Sequence, residues 1–250
     1  MILHLLKKGH YVVLNTGRPL MAVLPYLKKF RMQNYPVICD NGGCIYYVNR
    51  ENKITKTIYN KFDIKTLNSF LEAIKSMLLY SAIYCVESRY YYNEKNVPNF
   101  LKTDLDTTPI NLINKFDLPE DVLLVSFGVK KEDKEIVDKL LTKGKNTSFS
   151  VLYWGDDETY SYYDIQAPKT SKGHTMLSLA KSLNIDEDNI IAFGDEINDI
   201  SMLQMAKYGY LMPNEKSKEL SERFNRPIIK KDRDQDGPIW HLLEKHKDLF

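Results

Sequence analysis

Ile190-Ile191-Ala192-Phe193-Gly194-Asp195-Glu196-Ile197-Asn198-Asp199 carries the clearest local signals in the sequence. Its four leading apolar residues make a short run of buried-strand type. A glycine ends the run, and two carboxylates and a carboxamide stand on the loop that leaves it. The texture from Met202 to Lys207 is helical, and Tyr208 to Met212 reads as a last short strand. Strand, glycine turn, helix and strand make a βαβ unit, and in open parallel sheets ligands sit at the carboxyl ends of the strands. Chemistry is therefore sought first between Gly194 and Asp199. Paired acidic oxygens beside a turn suit a hard cation such as Mg²⁺, which takes oxygen ligands and keeps several waters. Capping of the next helix by Asn198 or Asp199 accounts for the same residues as well.

Working outward, the front of the chain repeats the pattern. Residues 11–16 read as a strand, Asn15-Thr16-Gly17-Arg18-Pro19 as its turn, and Leu20, Val23, Leu24, Leu27 and Phe30 recur at helical spacing. Thr16, Gly17 and Arg18 offer a hydroxyl, a close-approaching amide and a guanidinium where a phosphoryl group would be welcome. A plain helix cap with Pro19 early in the helix explains Thr16 and Pro19 equally. Pro36-Val37-Ile38-Cys39 forms another short strand, closed by Asp40-Asn41-Gly42-Gly43, a cluster that favours positive φ. Lys172, in Ser171-Lys172-Gly173, stands at a helix start, where a cation opposes the helix dipole and is easier to understand facing an anion.

Between these segments the texture changes. Helices are expected over 62–80, 104–116 and 134–143, a strand over 82–93, another over 122–129, and a hairpin from 148–154 with 159–165. The expected organisation is a core over 1–59 and 168–250 interrupted by an inserted α+β domain over 60–167. Tyr90-Tyr91-Tyr92 in that insertion reads as strand packing, or as contacts of a lid that selects substrate.

Composition limits the function classes. With 43% hydrophobic and 27% charged residues in 250, disorder is excluded and a sizeable core is available. Thirty-five basic against 33 acidic residues leave +2, too balanced for a protein that coats nucleic acid or an anionic membrane. No apolar run reaches bilayer length. Cys39, Cys44 and Cys85 form neither a C-x-x-C nor a metal-type cluster, which points to reduced thiols and a cytoplasmic location.

Taken together, Asn15-Thr16-Gly17-Arg18-Pro19, Asp40-Asn41-Gly42-Gly43, Ser171-Lys172-Gly173 and Gly194-Asp195-x-x-Asn198-Asp199-x-x-Met202-Leu203 resemble, in order and separation, the motifs of the haloacid dehalogenase superfamily, specifically its Cof-type sugar-phosphate phosphatases. Pro213-Asn214 and Asp236-Gly237 fall where that family has an Asn after a core strand and an acidic-Gly step before the final helix. The resemblance covers almost the whole chain. It implies a doubly wound parallel-sheet α/β core with an inserted cap, Mg²⁺ as cofactor and a small phosphorylated metabolite as partner. Thr16, with Gly17, Arg18 and Asn41, would bind the phosphoryl group, and Asn198 would touch it. Lys172 would offset its charge, Asp195 would ligate the metal, and Asp199 would support the metal's water shell.

The family also depends on Asp-x-Asp-Gly-Thr at the end of its first core strand, where the leading Asp is the nucleophile and the second the acid and base. No such string precedes Thr16. Ile2, Leu3, Leu5 and Leu6 with Lys7-Lys8-Gly9 read as the last turns of a helix, so the strand before that helix is expected to be missing. A truncated reading of a longer gene, a divergent chain that fills the gap with something else or pairs with another polypeptide such as an N-terminal complementing fragment, and a non-catalytic phospholigand-binding relative are the three explanations. Asp232-Arg233-Asp234-Gln235-Asp236-Gly237 resembles the opening of a calcium loop, but Leu243 stands where the bidentate Glu is needed. A solvated polar loop before the last helix fits it better.

Overall fold

The computed structural model describes residues 2–32, 34–102, 106–142 and 148–250. They form two compact units: Met1–Gly17 with Pro25–Thr57 and Ser171–Phe250, and Arg18–Leu24 with Ile58–Thr170.

The first unit begins with α1 (Ile2–Lys7), closed by Gly9 at φ +88°. The strand expected over 11–16 is reduced to one parallel bridge, Asn15 to Ile38. Ile38 N donates to Leu14 O and Thr16 N to Ile38 O, both at 2.9 Å. Tyr11 is exposed and no second described strand pairs with the segment, so a β-prone run lacks the ladder that would make it a strand. Part of α2 (Leu20–Lys29) follows in this unit. Next come β1 (Pro36–Cys39), β2 (Cys44–Val48) and β3 (Ile54–Ile58), an antiparallel meander with Ile38 opposite Ile45.

The rear half of this unit contains α5 (Lys172–Ser182), β10 (Ile191–Gly194), α6 (Ile200–Met205), β11 (Tyr208–Leu211), α7 (Ser217–Phe224) and α8 (Gly237–Lys245), numbered in chain order. β10 and β11 run parallel on either side of α6, the βαβ unit expected, and Leu211 adds a bridge to Ile228. Ala192, Ile200, Leu203, Leu211 and Leu220 pack together beneath it. Among the described residues β10 pairs with β11 alone, so the front and rear ladders are separate. A side chain links them: Asn15 Nδ2 donates to Lys172 O at 3.0 Å and contacts Met202 Sδ at 3.3 Å. The loop at 232–237 is polar, with Asp232 accepting from Gln235 N and Asp236 left-handed just before α8.

The second unit is a six-stranded sheet in the order β6-β5-β4-β7-β9-β8. Its strands are β4 (Leu78–Cys85), β5 (Arg89–Tyr92), β6 (Ile110–Ile113), β7 (Val122–Lys130), β8 (Ser150–Asp156) and β9 (Tyr160–Gln166). All neighbours are antiparallel except β5 and β6. α3 (Ile64–Ala73) and α4 (Lys134–Thr142) supply Leu67, Phe70, Leu71, Val137 and Leu141 to a cluster with Val125, Phe127, Tyr163 and Ile165.

Three expectations here are corrected. The helix read over 62–80 stops at Ala73, because Leu78 to Cys85 is a strand whose continuous apolar texture resembles a buried helix. The strand read over 82–93 divides into β4 and β5 around Glu87 and Ser88. The helix read over 104–116 contains β6 instead, while Thr103 to Leu105 lie outside the described residues. Asp106 accepts from Thr108 N and Thr108 Oγ1, a local turn that competes with a helix start, and Pro109 follows it. Lys143, the last residue of the third expected helix, also lies outside the described residues.

Candidate active site

Four loops of the first unit supply the chemistry. Asp40, Asn41 and Gly42 follow β1 with φ of 52°, 54° and 94°, three successive left-handed residues. Gly42 cannot carry a side chain, since a Cβ there would lie 2.4 Å from the Ser171 carbonyl. Thr175 Oγ1 donates to Gly42 O at 2.7 Å and fixes the turn against α5. Ser171 caps α5 through a bond from His174 N, and Gly173 N donates to Ser201 Oγ. Lys172 is thereby held at the first position of its helix.

Lys172 Nζ lies 2.6 Å from Asp199 Oδ1, and the two side chains are 6% and 7% exposed. Asp199 Oδ2 accepts from Asp195 N at 2.9 Å and Glu196 N at 3.2 Å. A buried carboxylate bonded to one ammonium and two amides is fixed in place, and so is its partner. The neighbouring Asn198 Nδ2 donates to Asn41 Oδ1 at 2.8 Å, tying the acidic loop to the turn after β1. Asn41 N donates to Thr16 O at 3.1 Å, and a Cβ on Gly17 would meet Asn41 Oδ1 at 2.7 Å. Thr16, Gly17, Asn41, Lys172, Asn198 and Asp199 thus form one connected set, with Asp195 joined through its own amide. Arg18 is exposed and belongs to the second compact unit.

Residues outside the expected set complete this arrangement. Asn15 ties Lys172 O to the front loop, and Asn214 Nδ2 donates to Asp195 O at 2.6 Å. Lys216 pairs with Glu196 at 3.2 Å at the rim. Asn15 and Asn214 were visible as polar residues beside the motifs, but a carboxamide that clamps a carbonyl has no sequence signature.

The donor chemistry suits a hard cation, since the loop presents only oxygens. Asp199 has both oxygens engaged within the protein, and Asp195, the other carboxylate of the expected metal pair, stands directly after β10. Asn198 Oδ1, in the same loop, is buried and has no hydrogen-bond partner among the described residues. One carboxylate with a few neutral oxygens fits Mg²⁺, which typically combines one or two carboxylates with phosphate oxygens and water. A self-sufficient protein cage is a different matter: no group of three or more His, Cys, Asp or Glu side chains gathers among the described residues.

Several known proteins are similar to this chain. A Streptococcus pyogenes protein that carries a provisional phosphatase name is 26% identical over 219 residues, covering 83% of this chain and 76% of the relative. The 5-amino-6-(5-phospho-D-ribitylamino)uracil phosphatase YitU of Bacillus subtilis is 21% identical, covering 82% of this chain and 75% of its own. The crystal structure of a haloacid dehalogenase-like hydrolase from Bacteroides thetaiotaomicron superposes with a TM-score of 0.71 at 21% identity, over 100% of this chain and 90% of that one. A sugar phosphatase of HAD subclass IIB gives a TM-score of 0.71 at 17% identity over the same shares. These structures match in fold. The family profile for haloacid dehalogenase-like hydrolases matches residues 1–237, nearly the whole chain, and the protein belongs to that family.

Proposed function

We propose that this chain carries the phosphate and Mg²⁺ half of a cytoplasmic phosphatase that acts on small phosphorylated metabolites, sugar phosphates above all. The observation that carries the reading is the joining of Asn41 to Asn198 and of Lys172 to Asp199, which brings three separate motifs into one site, with Thr16 joined through the Asn41 amide. Phosphoryl transfer asks mainly for positioning and charge stabilisation. Thr16 and Asn198 donate to phosphoryl oxygens, with Gly17 allowing close approach. Lys172 faces the phosphoryl group while Asp199 holds its ammonium in place. Asp195 would hold Mg²⁺, with Asp199 supporting its water shell, and the bound ion would supply Lewis-acid stabilisation of the phosphoryl charge. The sugar-phosphate preference draws on the names of relatives, and a folded small-molecule site in a nearly neutral chain gives no role to nucleic acid or membrane.

The attacking carboxylate is not in this set. Asp40 is buried at the turn after β1 and Asp106 is paired with Arg89 in the second unit. No Asp-x-Asp-Gly-Thr strand stands in these 250 residues, so the reading gives this chain the phosphate and metal groups and not the nucleophile. The 250-residue chain should release little or no phosphate from p-nitrophenyl phosphate with Mg²⁺, and turnover at an ordinary enzymatic rate would overturn the assignment. A second reading, non-catalytic phospholigand binding, rests on the same lack of a nucleophile. Tight Mg²⁺-dependent binding of a sugar phosphate that persists without hydrolysis after the strand is supplied would favour it.

A further inference from the structure

A second basic site lies at the opposite end of β1 from Asn41. A groove of about 910 Å³ is lined by Leu3, Leu6, Lys7, Lys28, Arg31, Asn34, Tyr35 and Arg50, all within the first unit. Tyr35 leads into β1 and Asp40 leaves it, so a four-residue strand, about 13 Å at roughly 3.3 Å per residue, separates the groove from the candidate active site. Four lining residues are cations and none is an acid. Among the described residues Lys7, Lys28, Arg31 and Arg50 form no ion pair, and Glu51, next to Arg50, is taken by Lys53 at 3.2 Å. Like charges converging without a counter-charge repel one another, an arrangement that an anion relieves.

Arg31 adds a second, independent observation. It follows α2 in the left-handed region at φ 53°. Met32 N donates to Leu27 O at 2.8 Å and Arg31 N to Lys28 O at 3.2 Å, the paired bonds of a helix terminus that normally places glycine where Arg31 stands. A β-carbon there costs about 1 kcal/mol relative to glycine. The turn itself does not ask for a guanidinium at this position, since glycine makes the same bonds at lower cost.

We infer that this groove is a binding site for a nucleoside polyphosphate, with Lys7, Lys28, Arg31 and Arg50 holding the phosphates and Tyr35, Leu3 and Leu6 forming the wall for the base. A single phosphate does not call for four cations, whereas a triphosphate carries about four negative charges and matches them. The half-buried Tyr35 and two leucines line the groove beside the cations and supply the apolar surface that a base requires. The volume is that of a small-molecule pocket, not of an extended nucleic-acid track.

The test is calorimetric titration of the 250-residue chain with ATP, inorganic triphosphate, adenosine and a single-stranded RNA oligonucleotide, at low ionic strength and with chelator present to suppress the Mg²⁺ site. Saturable 1:1 binding of ATP is expected, tighter than triphosphate and far tighter than adenosine. Arg31→Gly should weaken ATP at least tenfold while leaving the melting temperature unchanged or raised, because glycine suits φ 53° and the capping bonds are backbone. A purely structural role for Arg31 would leave ATP binding unmoved. Arg50→Gln, in an exposed turn, should weaken ATP by a similar factor. The proposal is overturned if ATP does not saturate below millimolar concentration, if neither variant alters binding, or if triphosphate binds as tightly as ATP. RNA binding tighter than ATP and lost in the same variants would reassign the groove to nucleic acid.

Discussion

A lysine and an aspartate 2.6 Å apart, each less than a tenth exposed, leave little tolerance for losing either one. Removing one member of such a pair strands a buried charge, at a cost of about 3 to 5 kcal/mol. Lys172→Met and Asp199→Asn should each destabilise the chain by about that amount in urea unfolding. The double variant should be less destabilised than the sum of the two, since the stranded charge is gone. Strict additivity would mean that the pair is not coupled. At Gly42 the expectation is steric: with φ at 94° and the Ser171 carbonyl 2.4 Å from where a β-carbon would stand, Gly42→Ala should cost about 2 kcal/mol or more. Gly9, also at positive φ but with nothing within 4 Å, should lose less on the same substitution. Unfolding midpoints of the two variants decide this.

At the scale of elements, α8 carries a titration. His241 packs edge-on to Tyr210 with ring centroids 4.2 Å apart and touches Phe193, and its Nε2 is buried with no hydrogen-bond partner among the described residues. Burial, reinforced by His246 and by Lys245 and Lys230 against the opposing Glu244, lowers its pKa below the ordinary 6.5. The unfolded chain therefore binds the proton first, and stability that is complete above pH 6.5 is lost as pH falls through the folded-state value. His241→Phe keeps the aromatic packing and removes the titration. Its unfolding free energy should vary less than that of the parent between pH 7.5 and 5.5, and parallel curves would discount the linkage.

Legibility also divides by element. Ile190 to Asp199 was readable because an apolar run, a glycine and clustered polar residues each signal locally, and Pro36 to Gly43 was readable for the same reason. β4 and β6 were not. Leu78 to Cys85 is apolar on both faces, so its period carries no information, and Ile110 to Ile113 is a four-residue sheet edge whose Ile110 and Ile113, three apart, also fit one side of a helix. The segment at 11–14 shows the converse, a sequence with strand propensity that takes no ladder. In the site, residue types at motif positions were legible, whereas their pairings, Asn15 to Lys172 and Asn214 to Asp195, are products of tertiary structure.

The whole molecule divides into units with separate cores, and no helix among the described residues is long and apolar enough to cross a membrane. The second unit holds its own sheet and its own buried cluster, from Phe62 to Ala167. A fragment of residues 58–170 should therefore fold alone, with dispersed amide resonances and a cooperative thermal transition. A fragment that remained collapsed without a transition would show that the unit depends on the rest of the chain.

The carboxamide links carry one more consequence, for order in time. Asn15 meets Lys172, and Asn41 meets Asn198, across 157 residues of chain in each case. Contacts of such span close last, after local hairpins such as β8 with β9 have formed. On a ribosome the front loops emerge long before their partners and must wait for them, exposed, while the whole intervening unit is synthesised. The place where phosphate would be held is thus the latest part of the molecule to exist and the natural point for a chaperone to attend.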